Sequence, residues 1–461
     1  MGESYLVIGG EGFLGSTMVK TLLTRYPDAS VASLDLVQRH FPDSLASDSH
    51  RKWTFYSADL TSLDSLSSAI RKSGATTVFH TASPWTGSGQ DVCEKVNVEG
   101  TRTVVDACVQ EGVKKLVFTS SAGTVYNGVD LINVDERMPF PKEELDPYNV
   151  TKAKAERIVL DANGKNGLLT VALRPAGIFG PGDRQALPGV MEVLKSGKTK
   201  FQVGSNENLF DWTYVDNVVH AHMIASERLS HVATPESLNS RALPIDLDVK
   251  RRQLPTSNYR PPSLLEQELK LDPAFKQDEE GDLPLLAGRN RFDQFYHLPA
   301  YSAVDESEGD TKTIKEEAEE GNEGRATVAT TSRGDDKSYE SDLTVAGQAF
   351  FVTNGSPIPF WDFPRAVWAE YNRHEPSFVI PLPAFLGLLF AGIGETISGL
   401  MGKTPNLTRG KVVYSTVNRY YNIERARRVL GYEPVVGLEE GIKRAVAWYK
   451  ENESSMAAKK A

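Results

Sequence analysis

A chain of 461 residues, 40% hydrophobic and 24% charged, can bury a large core and has the length of roughly two to three domains. Its formal net charge of −10 is concentrated in one place: residues 231 to 342 hold 24 acidic against 14 basic residues, which leaves the rest near neutrality, and no basic stripe with interleaved aromatics speaks for nucleic acid. Two cysteines, Cys93 and Cys108, supply neither a disulfide framework nor the spacing of a structural zinc, and read as buried thiols in a reducing compartment.

Met1 to Ile8 runs straight into a strand without the features of a secretion signal, so the sequons at Asn149, Asn406 and Asn452 read as chance. From Ser4 to Arg228, short β-branched apolar runs alternate with longer stretches of helical period, the pattern of βαβ units on a parallel sheet. The runs begin at Ser4, Ser30, Trp53, Thr76, Lys114 and Leu168. They predict an α/β fold in which residues 1–229 form a doubly wound parallel sheet of the Rossmann type.

The first strand ends in GGEGFLG, which satisfies G-x-x-G-x-x-G at Gly9, Gly12 and Gly15 and G-x-G-x-x-G at Gly10, Gly12 and Gly15. Glycines here allow a tight turn and close approach of backbone to a pyrophosphate at a helix N-terminus. Asp35 closes the second strand twenty residues after Gly15, where a carboxylate can accept hydrogen bonds from a ribose. It favours NAD over NADP, a preference that Arg39 could partly reverse. Asp59, after the third strand, is placed to contact adenine or to cap the next helix.

The fifth strand runs into TSSAGT, where Ser120, Ser121 and Thr124 can each offer a hydroxyl at the carboxyl edge of the sheet. With 16 tyrosines in the chain, about one Tyr-x-x-x-Lys is expected by chance, and one occurs, Tyr148 to Lys152. Its setting gives it meaning. Asp146 is a good N-cap, Pro147 suits the first helical position, and Tyr148 and Lys152 then share one helix face. The helix end and the ammonium are expected to lower the Tyr148 pKa from its usual value of about 10, so that a phenolate can take an alcohol proton while hydride leaves to a nicotinamide. His220 and His222 are two apart on a predicted helix and face different sides, so no metal is implied.

Residues 230–344 turn Pro-rich and then highly charged, a composition that predicts a long, mostly disordered insertion. Folded character resumes in 345–461, read as a smaller C-terminal substrate-binding region. Within it, Phe378 to Gly394 carries no charge over 17 residues. Pro381 and Pro383 leave about 11 residues for continuous helix, too few to span a bilayer and suited to a membrane interface or the wall of a lipid cleft, with an ordinary buried core helix as the alternative.

These residues in this order resemble the extended short-chain dehydrogenases. The segments Phe210–His222, Gly347–Phe363 and Tyr420–Ile442 are similar to the 3β-hydroxysteroid dehydrogenase family, most of all to its fungal branch acting on 4α-carboxy sterols in ergosterol synthesis. The likeness covers roughly residues 4–229 and 345–450 and leaves the insertion outside. It implies Ser121, Tyr148 and Lys152 as the catalytic set, with Asn97 of VNVEGT in support. It implies a cofactor site of Gly9, Gly12, Phe13, Leu14, Gly15, Asp35, Asp59, Leu60, Ala82, Tyr148, Lys152 and Pro175, holding NAD with NADP as the alternative. The implied reaction is oxidation of a 3β-hydroxyl to a ketone beside a carboxylate, which then leaves as CO2. The implied partners are a sterol, the membrane surface through 378–394 on the cytosolic face of the endoplasmic reticulum, and other enzymes of sterol C4 demethylation; a homodimer is left open. The rival readings are another extended dehydrogenase, such as a nucleotide-sugar epimerase or one serving secondary metabolism, and a non-catalytic dinucleotide sensor.

Overall fold

Strands in which almost every residue is apolar cannot present a wet face, and this chain covers them with helices on both sides. The computed structural model describes residues 3–39, 53–126, 128–136, 138–141, 146–233, 344–400 and 407–458. The first half supplies β1 (Ser4–Ile8), α1 (Phe13–Arg25), β2 (Ser30–Asp35), β3 (Trp53–Ser57), α2 (Leu63–Ser73), β4 (Thr77–His80), α3 (Gly100–Gln110) and β5 (Lys115–Thr119). There follow β6 (Leu131–Val134), α4 (Pro147–Leu160), β7 (Leu169–Pro175), β8 (Phe201–Val203), β9 (Leu209–Phe210) and α5 (Val215–Arg228). Beyond the insertion come β10 (Gln348–Val352), α6 (Asp362–Asn372), β11 (Ile380–Leu382), α7 (Ala384–Leu400), α8 (Arg409–Thr416), β12 (Arg419–Tyr421) and α9 (Leu438–Ala458).

The central sheet has seven parallel strands in the order β10-β7-β5-β4-β1-β2-β3. Two apolar clusters cover its faces, one involving α1 and α5 and the other α2, α3 and α4. The order reverses between β1 and β4, so the crevice outside their carboxyl ends is where such folds take ligands. The six strands expected from the sequence are all present. The seventh, β10, lies in the segment read as C-terminal region, yet pairs Gln348–Val352 with Val171–Pro175. Its five residues are buried, and only the sheet's open edge offers them that burial.

A small second sheet is built from four distant segments: Ile358–Pro359, β9, β12 and β6. The segment Phe378–Gly394 divides, with β11 pairing β8 in parallel and α7 starting just beyond Pro383. That helix runs 17 residues, longer than the 11 or so expected, because nothing after Gly394 breaks it until Leu400. No helix among the described residues is long and apolar enough to cross a membrane. Nor is α7 a core helix: Phe385, Leu389, Phe390, Ile393 and Ile397 are each at least half exposed.

The disorder expected of 230–344 falls almost wholly outside the described residues, but its two ends are well placed. Val232 bridges Thr344, and the Val345 amide donates to the His231 carbonyl at 3.3 Å. The chain therefore leaves and re-enters the body at one point. Replacing 240–340 by a short Gly/Ser linker is expected to keep the thermal midpoint within a few degrees of wild type and to leave NAD affinity unchanged. Calorimetry and dinucleotide titration of that deletion check it, and lost affinity would make the segment part of the fold.

Candidate active site

The turn between β1 and α1 is fixed by contacts that only glycine allows. Gly9 has φ +80°, and a Cβ there would meet the Ala82 backbone at 2.7 Å; one on Gly15 would lie 2.1 Å from the Gly9 carbonyl oxygen. Ala82, implied as a cofactor contact, packs directly against the glycine turn. Asp35 holds the same turn: its Oδ2 accepts from the Glu11 amide at 3.2 Å and its Oδ1 from the Leu36 amide at 2.8 Å. Arg39 engages through its backbone amide, bonded to Glu11 Oε2 at 2.8 Å. Asp59 is exposed, and its Oδ1 accepts from both the amide and the hydroxyl of Thr61; these bonds lower its pKa. Ser62, not Asp59, caps α2. Leu60 covers Gly100 of α3, and Pro175 ends β7 buried beside Val352. Phe13 is half-buried close to Gly182, and Leu14 is buried in the core.

Helix α4, which carries Tyr148 and Lys152, begins as its sequence dictates. Asp146 caps α4 by accepting from the Tyr148 amide at 3.1 Å, and Pro147 occupies the first position. Opposite, Ser121 opens a short 3-10 turn, Ala122–Val125, whose Gly123 packs directly on the Asn149 side chain. The three candidate hydroxyls there separate cleanly. Ser120 is buried and donates to Glu156, while Thr124 is buried and donates to the Ser121 carbonyl. Ser121 accepts from the Gly123 amide at 3.1 Å and gives its own hydrogen to no described residue.

A polar chain that the sequence reading did not anticipate supports Tyr148. The Ser83 hydroxyl lies beside the phenol and donates to Asn97 Oδ1 at 3.1 Å; Asn97 Nδ2 donates to Thr151 Oγ1 at 3.0 Å, which in turn donates to the Pro147 carbonyl. Asn97, expected as a support, lies buried in a π-helical stretch, Glu94–Glu99, that turns it inward. Ser83 was detectable, since it stands three residues past β4 at the ligand-binding edge.

The expected lowering of the Tyr148 pKa does not hold in the cofactor-free protein. Burial raises it, the Asp146 carboxylate raises it further, and the Ser83 hydroxyl beside it offsets only part of this. Lys152 does not reach the phenol here: its ammonium donates to the Thr119 carbonyl and lies 4.3 Å from the centre of the Phe118 ring. Burial pushes the Lys152 pKa down to about 7, against the pull of Glu156 one turn on. Glu156 is buried too, paired with Arg174 of β7 at 2.6 Å. His222 is buried, its Nε2 2.7 Å from the Thr119 hydroxyl, while His220 is half-buried near Tyr432. Cys93 and Cys108 are buried free thiols, and burial raises both.

A glycine cradle facing a capped Tyr/Lys helix and a serine turn across one sheet edge defines the extended short-chain dehydrogenase class. Solved structures agree on the fold. Streptomyces venezuelae DesIV, a dTDP-glucose 4,6-dehydratase with NAD and TYD bound, matches at TM-score 0.57 and 17% identity over 98% of both chains. The UDP-glucose 4-epimerase of Thermotoga maritima matches at 0.54 and 16%, over 97% of this chain and 99% of that one. Residues 6–243 match the 3-beta hydroxysteroid dehydrogenase/isomerase family, and the chain belongs to it. It is 35% identical to the sterol-4-alpha-carboxylate 3-dehydrogenase, decarboxylating, of Schizosaccharomyces pombe over 97% of both chains. The Saccharomyces cerevisiae enzyme of that name is 34% identical over 97% of this chain and 98% of its own, and the human one 29% over 96% and 87%.

The position of Lys152 has a measurable consequence. Unfolded lysine titrates near 10.4, so between about pH 7 and 10 the unfolded chain holds more proton at this site than the folded one. The cofactor-free protein should therefore gain stability as pH rises from 7 to about 9.5, and lose it again on the way down. Urea unfolding of wild type and Lys152→Met across that range tests this: the slope is expected to flatten in the variant, and an unchanged slope would assign it elsewhere.

Proposed function

We propose that this protein oxidises the 3β-hydroxyl of a 4α-carboxy sterol to a 3-ketone with NAD, the carboxylate then leaving as CO2, in sterol biosynthesis. The observation that carries this reading is likeness over nearly the whole chain to enzymes of that name, in a chain whose Ser121 turn packs against the helix bearing Tyr148 and Lys152.

The residues at the sheet edge fit a dinucleotide. The backbone turn of Gly9, Gly12 and Gly15 leaves room for a pyrophosphate at the start of α1, and Asp35 stands at the end of β2 for the adenosine ribose. A carboxylate there favours NAD over a 2'-phosphate. When bound, the nicotinamide supplies a hydride acceptor.

Ser121, with its hydrogen uncommitted, donates to the reacting oxygen, and Tyr148 takes the hydroxyl proton. Tyr148 acts in its phenolate form and becomes the neutral phenol as it takes that proton; the Ser83 hydroxyl beside it favours the ionised form. Lys152, one turn beyond Tyr148 on the same helix, holds the ribose, and its ammonium, when protonated, favours the phenolate. The product is a β-keto carboxylate. Its C–C bond pair passes into the ketone as an enolate when CO2 leaves, and carbon then takes a proton. No separate decarboxylation base is required.

A sterol substrate resides in membrane, and the apolar face of α7 supports docking on the cytosolic surface of the endoplasmic reticulum. Phe201, Phe378 and Ile380 extend that face along the paired β8 and β11 strands.

Two measurements test the reading. With a 4α-carboxy sterol and NAD, detergent-solubilised wild type should form NADH and a decarboxylated 3-ketone, and Tyr148→Phe should cut turnover roughly 10²–10⁴-fold while NAD still binds. Wild type that binds NAD yet oxidises no 3β-hydroxy sterol would leave the family intact and remove the substrate. In vesicle flotation, Phe385→Asp with Leu389→Asp should weaken binding by roughly tenfold or more; equal flotation would put the membrane contact elsewhere.

A further inference from the structure

Arg419 lies in β12, at the centre of the small sheet, where a charged side chain is unexpected. Its guanidinium sits 4.5 Å from the centre of the Tyr126 ring and 5.1 Å from that of Tyr414, and a third phenol, Tyr421, stands close by. No carboxylate pairs with it among the described residues. Asp130, the nearby acid on the Tyr126 side, is bonded to the amide and side chain of Asn418. The Arg419 Nε–H and the Tyr126 hydroxyl are both buried and lack hydrogen-bond partners among the described residues.

Aromatic faces lessen the cost of burying a guanidinium, but they do not satisfy its N–H donors. Two orphaned donors on stacked side chains, one of them cationic, call for an anionic oxygen acceptor from outside the protein. The planar fork of arginine suits a carboxylate.

The place is right for the substrate. Tyr126 closes the turn that Ser121 opens, its amide bonded to the Gly123 carbonyl at 3.0 Å, and Gly123 packs on Asn149 next to Tyr148. On the other side, Tyr414 feels the charge of Asp183, adjoining Gly182, which approaches Phe13 of the glycine turn. Arg419 thus stands in the wall joining the serine turn to the apolar unit of α7 and α8.

We infer that Arg419 and Tyr126 receive the C4 carboxylate of the substrate, and so select acids over neutral 3β-hydroxysteroids. The inference rests on the substrate reading above. Recognition of a group that then departs as CO2 acts on ground-state binding, so it governs KM rather than kcat and lets the neutral product leave.

The test compares a 4α-carboxy sterol as substrate with its 4α-methyl, carboxylate-free counterpart as competitive inhibitor. Arg419→Gln should raise KM for the acid roughly 10–100-fold, leave the inhibition constant of the neutral sterol and the NAD dissociation constant nearly unchanged, and move kcat little. Tyr126→Phe should raise KM by a smaller factor with the same selectivity. An equal loss for both sterols, or no change in KM, overturns the inference. Should Arg419→Gln fail to fold, Arg419→Lys and Tyr126→Phe carry the same comparison, with selective weakening supporting it and unselective or absent weakening overturning it. Wild type inactive on every 4α-carboxy sterol would instead remove the substrate reading, whereas turnover by wild type with unselective variants removes this inference alone.

Discussion

The buried ion pair between Glu156 and Arg174 is the constraint on which the geometry of the site depends. Arg174 points from β7 between the rings of Phe140 and Phe351, and its Nε and Nη2 both reach the Glu156 carboxylate, at 2.6 to 3.1 Å. Ser120 adds a third tie from the end of β5. Leaving either ion unpaired in this interior would cost about 3–5 kcal/mol, so α4 has one acceptable position on the sheet. Glu156 lies one turn beyond Lys152, and Lys152 one turn beyond Tyr148, so the register of the ion pair is the register of the chemistry.

The same pair explains why β10 belongs to the sheet. Phe351 covers one face of the Arg174 guanidinium, and its amide is held by the Glu136 carboxylate at 2.8 Å. The last strand therefore completes the enclosure that keeps the ion pair dry, although more than a hundred residues separate it from the strand beside which it lies. The bridge of Val232 to Thr344 lets the insertion be bypassed without disturbing that enclosure.

Two surfaces of opposite character meet in the C-terminal region. The small sheet gathers Tyr126, Phe210, Phe360, Tyr414 and Tyr421 into an aromatic wall with one guanidinium inside it. Beyond it, α7 and β11 turn large apolar side chains to the outside, where a folded protein ordinarily keeps polar ones. A substrate with an apolar body and one carboxylate near its reacting end would find both features in that order.

Much of the chemistry was legible in the sequence because it is encoded by local rules. The glycine turn, the Asp146 cap, Pro147 and the four-residue spacing of Tyr148 and Lys152 act within one turn of chain, and the six alternating apolar runs can be buried on both faces only in a parallel sheet. What sequence could not decide depends on long-range contacts. Which of Ser120, Ser121 and Thr124 keeps its hydrogen free of acceptors among the described residues depends on the partners that the other two found, one of them 36 residues away. The direction of the Tyr148 shift needed the burial around it, and the position of Lys152 needed the Thr119 carbonyl. The membership of β10, the length of α7 and the Arg419 Nε–H without a partner among the described residues became visible only in three dimensions, because an open sheet edge and an orphaned donor are properties of neighbours far away along the chain.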